Sequence, residues 1–326
     1  MRSLLRSWPR PFRQFLTWYL QLPLWLTGAT ALSLVLLVIA LSGSPGGAQL
    51  PPPLPAIAPP NSSVVPAASS QISISPAQPI LGDTISVTVS QSLTPNPAVA
   101  WNGRAYPMFA LPDGRYRALI PTTPRDRPGN LSFQINNGTV SEQIVKLGNR
   151  TFPTQSIWLS GGQDGSVSDA EYDRVDAFKR IVSPEKLWNG KLLRPNHGPV
   201  TSQYGIRRYY NGVFAEDYFH RGVDYGGNPG SAIVAPAAGR VVLVGYERDG
   251  FAVHGNCVGL DHGQGVTSIY IHLSQIQVQM GEVVQSGQTI GTLGSTGSAT
   301  GPHLHWGLFV HGEAVDPVPW REQGFE

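Results

Sequence analysis

Cysteine is almost missing from this chain of 326 residues: Cys257 stands alone, so no disulfide can form within the chain. It lies in the apolar run Cys257-Val258-Gly259-Leu260, which reads as a buried thiol rather than a nucleophile. Charge is scarce as well. Asp, Glu, Lys and Arg make up 13% of the chain, well below the roughly 25% usual for soluble domains. The 23 basic and 21 acidic residues leave a net charge of +2, which argues against a nucleic-acid partner. Acidic residues are missing from the whole N-terminal stretch; the first is Asp83. Glycine (37) and proline (29) are abundant instead, a balance that favours strands, turns and linkers over helical bundles.

The acid-free N-terminus carries Arg2, Arg6, Arg10 and Arg13, followed by an uncharged, mostly apolar run from Leu24 to Leu41. Eighteen residues are about the shortest helix that spans a bilayer, with Trp18, Tyr19 and Trp25 suited to the headgroup level. Residues 1–43 therefore read as a basic N-terminus and a transmembrane helix, with the rest of the chain outside by the positive-inside rule. A cleaved signal is the rival reading, with Gly46-Gly47-Ala48 as the small-residue site, although the run exceeds the usual h-region. Either way the bulk is exported: held at the inner (cytoplasmic) membrane and facing the periplasm or exterior, or secreted after cleavage. Residues 44–70, with Pro51-Pro52-Pro53, read as a solvated, semi-extended linker.

Residues 71–150 read as a small β module. Ile85, Val87 and Val89 alternate with polar residues, as do Leu131, Phe133 and Ile135; Pro112-Asp113-Gly114 and Asn137-Gly138 supply turns. Short strands at this spacing predict an immunoglobulin-like sandwich. It holds no cluster of polar residues, which suits a spacer or binding module. Within the connector 151–186, Ser168-Asp169-Ala170-Glu171 is a capping-box signature, and Val175, Phe178, Ile181 and Val182 follow at helical spacing before Pro184. This predicts one bridging helix near 169–182.

The C-terminal part, 187–326, turns to strand again. Gly239–Gly245, Val258–Leu260, Val266–Leu273, Ile290–Leu293 and Leu304–Val310 read as strands of a compact antiparallel sheet, with a hairpin turn at Asp261–Gly265. All 8 histidines lie here. His262, in an Asp-His-Gly turn, reads as structural; His197, His254 and His311 stand in loop-like contexts and read as solvent-facing. His220, His272, His303 and His305 are the candidates for chemistry, with Asp224. A catalytic zinc takes three protein ligands and keeps one position open, and neutral imidazole and carboxylate suit it. His220 and Asp224 offer one of each, but four residues of extended chain span roughly 13 Å, so the segment must bend if both hold one ion. His303 and His305 share a strand face with Cβ atoms roughly 7 Å apart, which fits one ligand and one neighbouring base better than two ligands.

At this point the order of motifs becomes specific. Gln203-Tyr204-Gly205-Ile206-Arg207-Arg208, His220-Arg221-Gly222-Val223-Asp224 and Val234-Ala235-Pro236-Ala237-Ala238-Gly239-Arg240-Val241-Val242 are followed by Asp261-His262-Gly263-Gln264-Gly265. Tyr270-Ile271-His272-Leu273-Ser274, Gly294-Ser295-Thr296-Gly297 and Gly301-Pro302-His303-Leu304-His305-Trp306 complete the series. From about 187 to 320 the chain resembles the lysostaphin/LytM family of zinc metallopeptidases, which cut peptides of bacterial cell-wall peptidoglycan. The resemblance implies a zinc endopeptidase with one Zn2+ per chain, held by His220, Asp224 and His305. It implies His303 as general base, and His272 as the group that orients the attacking water or stabilises the oxyanion. It also implies peptidoglycan stem or cross-bridge peptides as substrate, met in a narrow groove. The segments Tyr209–Phe219 and Glu247–Gly255 are insertions suited to its walls. Relatives that have lost zinc ligands act instead as regulators of wall amidases; none of the five residues is missing here.

Overall fold

The computed structural model describes residues 71–158, 168–216 and 218–325. The apolar run 24–41 and the linker 44–70 lie outside the described residues, and among the described residues no helix is long and apolar enough to cross a membrane.

The fold is mainly β. Its first eight strands are β1 (Ile72–Ser75), β2 (Thr84–Val89), β3 (Ala98–Trp101), β4 (Arg104–Pro107), β5 (Phe109–Ala110), β6 (Tyr116–Pro121), β7 (Gly129–Asn136) and β8 (Val140–Leu147). They form two four-stranded sheets, ordered β1-β2-β6-β5 and β4-β3-β7-β8. The expected turns fall between strands: Pro112-Asp113-Gly114 joins β5 to β6, and Asn137-Gly138 joins β7 to β8. Alternation supplies one core between the sheets. Ile85, Val87 and Val89 of β2 and Ala118 and Ile120 of β6 meet Val99 of β3 and Phe133 and Ile135 of β7, all fully buried.

The alternating pattern predicts one wet face, and here β2 departs from it. Thr84, Ser86 and Thr88 are buried too, because the C-terminal part covers the second face of the β1-β2-β6-β5 sheet. The Trp320 indole N–H donates to Thr84 Oγ1 at 3.0 Å, and Arg117 donates to Gln264 Oε1 at 3.0 Å. Leu119 joins the C-terminal core. Thr84 and Arg117 on that face thus find partners across the junction.

The connector contributes β9 (Thr154–Ile157) and a helix, α1 (Asp169–Lys179). Ser168 caps α1 as its sequence implies, accepting from the Glu171 N–H at 3.1 Å. The Glu171 side chain does not return to complete a capping box; it reaches across to residues 253 and 254. The helix stops short of 182: the Ile181 N–H bonds to Phe178 O in a tight closing turn, and only Val175 and Phe178 of the apolar stripe are buried with Glu171.

The remaining strands are β10 (Val200–Ser202), β11 (Arg207–Tyr210), β12 (Val213–Phe214), β13 (Val223–Gly226), β14 (Ala232–Val234) and β15 (Gly239–Gly245). They continue with β16 (Asn256–Gly263), β17 (Val266–Ile276), β18 (Val283–Val284), β19 (Thr289–Leu293), β20 (His303–Val310) and β21 (Glu313–Val315); α2 (Pro317–Glu322) ends the described chain. Ten of these strands make one antiparallel sheet with the path β10-β13-β20-β17-β16-β15-β18. β19 joins it through β17, β14 through β19, and β21 through β20. The part of the 209–219 insertion that lies in strands is the hairpin β11–β12, whose first strand pairs in parallel with β9. β16 and β17 are buried almost throughout, on one side beneath α1, where the Phe178 ring lies over Gly259.

Two close approaches lock this arrangement. At Gly222 an added Cβ would sit 2.3 Å from Trp306 O and 2.8 Å from His305 Nε2, so only glycine lets the chain run this close to β20. At the junction with the β module, His311 is buried rather than solvent-facing, stacked edge-on to Tyr106 with ring centroids 5.4 Å apart. β20 ends there, and the turn folds under the Arg104–Glu313 pair. Burial, helped by the Arg104 charge, pushes the His311 pKa down to about 4.

Gly222→Ala is expected to lower unfolding free energy by about 1–3 kcal/mol in urea denaturation, through overpacking between the strands. For His311 the folded pKa lies below the unfolded one, so the unfolded chain binds more protons between them. Stability should fall as pH drops from about 6.5 towards about 4, by on the order of 3 kcal/mol, and flatten below that. Denaturant midpoints of wild type and His311→Phe across this range check it; parallel pH curves would contradict it.

Candidate metal centre and active site

Three of the candidate side chains converge through backbone register. β13 pairs antiparallel with β20 so that Asp224 lies opposite His305 and Gly226 opposite His303. Directly paired residues point to the same face, which brings the Asp224 carboxylate to the His305 ring at 2.8 Å, Oδ1 to Nδ1. His220 precedes β13. Its backbone pairs with Gly205 and Ile206 instead of β20, and the bend at Arg221-Gly222 turns its ring back. This is the bend that a shared site for His220 and Asp224 requires. His220 Nε2 then lies 3.0 Å from Asp224 Oδ1 and 3.0 Å from His305 Nδ1.

Proton placement decides what this triangle can hold. The Nδ1–H of His220 donates to Gln203 O at 2.8 Å, since a carbonyl can only accept. Its Nε2 therefore presents a bare lone pair to the carboxylate. Burial alone would raise the Asp224 carboxyl, but its close contacts with the His220 and His305 rings outweigh it and hold the pKa far below the usual carboxylate range. Burial pushes His305 down to about 4, with Asp224 opposing the shift. A single proton on His305 Nδ1 can satisfy one side of the triangle and leaves the others repulsive. A cation satisfies all three. A tetrahedral zinc with bonds near 2.1 Å spaces its ligand atoms about 3.4 Å apart, about half an ångström wider than the 2.8–3.0 Å spacing here. The donor set fits zinc, and among the described residues it is the one cluster of His, Cys, Asp or Glu able to hold a metal.

His303 and His272 form a second pair beside it, ring centroids 4.7 Å apart and tilted by 50°. His303 sits two residues before His305 on β20. His272 comes from β17, at the point where that strand leaves β20 (Ile271 opposite His305) and takes β19 as partner (Leu273 opposite Leu293). Its backbone is left-handed there, φ +67°, a conformation that costs roughly 1–3 kcal/mol for a residue with a side chain. Both rings give their Nδ1–H to carbonyls at 2.8 Å, His303 to Gly301 O and His272 to Thr296 O. In a neutral ring this leaves Nε2 as the acceptor. Burial and the neighbouring His303 push His272 down to about 3, so it is neutral at ordinary pH.

The remaining histidines divide. His262 is fully buried, bonded to Ala238 O and Ser268 Oγ, and His197 is exposed, as their contexts suggest. His254 is not a solvent-facing loop residue: its Nδ1 lies 2.7 Å from the buried Glu171 carboxylate. Cys257 is buried, its thiol pushed up to about 12 by desolvation. The buried Tyr204 hydroxyl donates to Ala314 O at 2.7 Å and so serves packing. Sequence reasoning missed Gln203, Gly301 and Thr296. They act through backbone carbonyls, which leave no signature in residue type.

Residues 218–317 match the model of peptidase family M23. A Vibrio cholerae protein named peptidoglycan DD-endopeptidase ShyA is 39% identical over 182 residues, which is 56% of this chain and 38% of that protein. Lysostaphin of Staphylococcus simulans is 38% identical over 122 residues, 36% of this chain and 24% of its own length. The chain thus spans less than two-fifths of the length of these curated relatives. Among solved structures, one from Pseudomonas aeruginosa assigned to peptidase M23 superposes with a TM-score of 0.57 at 28% identity, covering 76% of this chain and 96% of that one. With the family match falling on the segment that carries all five converging side chains, the C-terminal part of this chain belongs to the M23 family of metallopeptidases, the lysostaphin type.

Proposed function

We propose that residues 187–326 are a zinc-dependent endopeptidase that hydrolyses peptide bonds in the stem or cross-bridge peptides of bacterial peptidoglycan. One observation carries this reading: three atoms able to bind a metal meet within 3.0 Å of one another beside two histidines whose Nδ1 atoms are held by carbonyls. In it, His220, Asp224 and His305 are the metal ligands. A zinc ion held there would supply Lewis-acid chemistry, polarising a peptide carbonyl and acidifying a water. His303, with its proton fixed on Nδ1, offers Nε2 as the base that takes the water's proton. His272 offers the same atom type from the other side. As a neutral acceptor it orients the water; it has no proton on Nε2 to give to an oxyanion. The strand pair β13–β20 holds ligand and base in one rigid frame.

The presence of all five residues separates this reading from that of a metal-free regulator. The relatives named peptidoglycan DD-endopeptidase make direct D-alanyl cross-links the first substrate to try. The basic N-terminus and the run 24–41 support an exported protein held at the inner membrane, with secretion after cleavage as the alternative, and 44–70 as its tether. The strand orders β1-β2-β6-β5 and β4-β3-β7-β8 support an immunoglobulin-type sandwich in 71–150, with β4 in the added position beside β3.

The protein is expected to bind about one zinc per chain and to release soluble muropeptides from sacculi. Mass spectrometry of the products identifies the bond cut, and metal-loaded protein that leaves sacculi and cross-linked muropeptides intact refutes the reading. His305→Ala should lose the metal. His303→Ala should keep it while kcat falls by about 100-fold or more. Metal analysis beside kinetics separates the two roles, and loss of zinc in His303→Ala would reverse the assignment.

A further inference from the structure

The helix α1 lies outside the matched segment 218–317, yet its buried Glu171 is bonded to the 253–254 loop. The Glu171 side chain is fully buried. Its carboxylate accepts from the Val253 N–H at 3.1 Å, the His254 N–H at 2.8 Å and, at 2.7 Å, His254 Nδ1. Burial would raise this carboxyl, but the bonds to His254 and Val253 outweigh it and keep the group ionised. A charged group this deep, bound to loop N–H donors, fastens the loop to the helix.

The fastened loop leads to His272 by two routes. First, His254 O accepts the backbone N–H of His272 at 3.0 Å. Second, residues 253–256 are packed against 296–298. The Val253 carbonyl accepts from Ser298 N at 3.0 Å, and Thr296 Oγ1 accepts from Asn256 N at 2.9 Å. A Cβ on Gly255 would lie 2.5 Å from the Thr296 carbonyl carbon, so the two loops meet backbone to backbone. Thr296 O in turn holds the His272 ring through Nδ1. Both the left-handed backbone of His272 and the tautomer of its ring are thus set by loops that Glu171 anchors. A residue held in an unfavourable φ stays there only while its surroundings over-determine it.

We propose that Glu171 is a positioning residue for His272: through the 253–255 loop it holds the backbone of His272, and through Thr296 the orientation of its ring. The role rests on His272 acting in the proposed hydrolysis, but the positioning itself does not. It makes the connector helix part of the catalytic unit, supplied from outside the family segment.

The test uses the full chain with Glu171→Ala and Glu171→Gln. Zinc content should be unchanged in both, because no ligand contacts the clamp. In Glu171→Ala, kcat on cross-linked muropeptides should fall roughly ten- to a hundredfold with KM little altered. Glu171→Gln keeps an oxygen acceptor for the two loop amides but not the charge, and should recover most of that loss. The direct readout is the imidazole 15N spectrum. His272 signals should shift or broaden in Glu171→Ala, while His262, buried elsewhere in the sheet, keeps its own and reports an intact fold. Unchanged His272 signals overturn the proposal, whether or not kcat falls. So does a kcat within twofold of wild type where wild type cleaves. If the wild type proves to bind no zinc or cut no peptide, the proposed function fails and the spectrum still decides the positioning. If Glu171→Ala does not fold, Glu171→Met, similar in volume but without an acceptor for the loop amides, decides: a His272-specific shift supports the clamp and its absence overturns it.

Discussion

The pairing of β13 with β20 is the constraint on which the rest depends. It sets Asp224 opposite His305, and a slip of one residue would send one of them to the other face of the sheet. That register is held by burial rather than by the polar residues themselves. Val223 and Tyr225 on β13, and Leu304 and Trp306 on β20, alternate with the site residues and are buried in the core. Apolar packing on one face thereby fixes polar geometry on the other. The cost of holding a carboxylate and two imidazoles in a dry place is offset in part by the His305–Asp224 contact and by the Gln203 carbonyl that orients the His220 ring.

The four histidines of the site are chemically alike and are differentiated by what surrounds them. His220 and His305 face a carboxylate. His303 and His272 face each other. Desolvation keeps His305 and His272 neutral at ordinary pH, which suits a ligand in one place and an acceptor in the other. The strained backbone of His272 marks where β17 changes partners. The same irregularity that ends one strand pairing lifts that ring towards His303, so a break in the sheet is part of the site.

The β module is not a freely hinged appendage. Thr84 receives Trp320 of α2, Arg117 reaches Gln264 in the β16–β17 turn, and Arg150 pairs with Asp316 at 2.7 Å. These contacts bury the second face of its first sheet and cap the final helix, and His311 closes the junction at the end of β20. The strand that carries His303 and His305 therefore runs from the site at one end to the module at the other, which gives the module a structural hold on the site strand.

Much of this was legible in the chain. Val258–Leu260 and Ile290–Leu293 are strands because their apolar side chains alternate or run continuously between turn residues, and that pattern is local. Ser168 caps α1 for an equally local reason. The candidate site residues were legible because zinc chemistry restricts ligand type and because ordered motifs carry a family resemblance. What remained hidden was whatever depends on distant partners. Thr84, Ser86 and Thr88 read as a wet face, and His254 and His311 as loop residues, because residue type does not reveal what another part of the chain will lay over it. The bend before β13, the left-handed turn at His272 and the tautomers set by Gln203, Gly301 and Thr296 arise from backbone groups common to all residues. Residue type and local pattern settled which atoms could hold a metal and which segments would be strands. Only the tertiary structure decided which of those atoms meet, because convergence is set by sheet register and by burial across segments far apart in the chain.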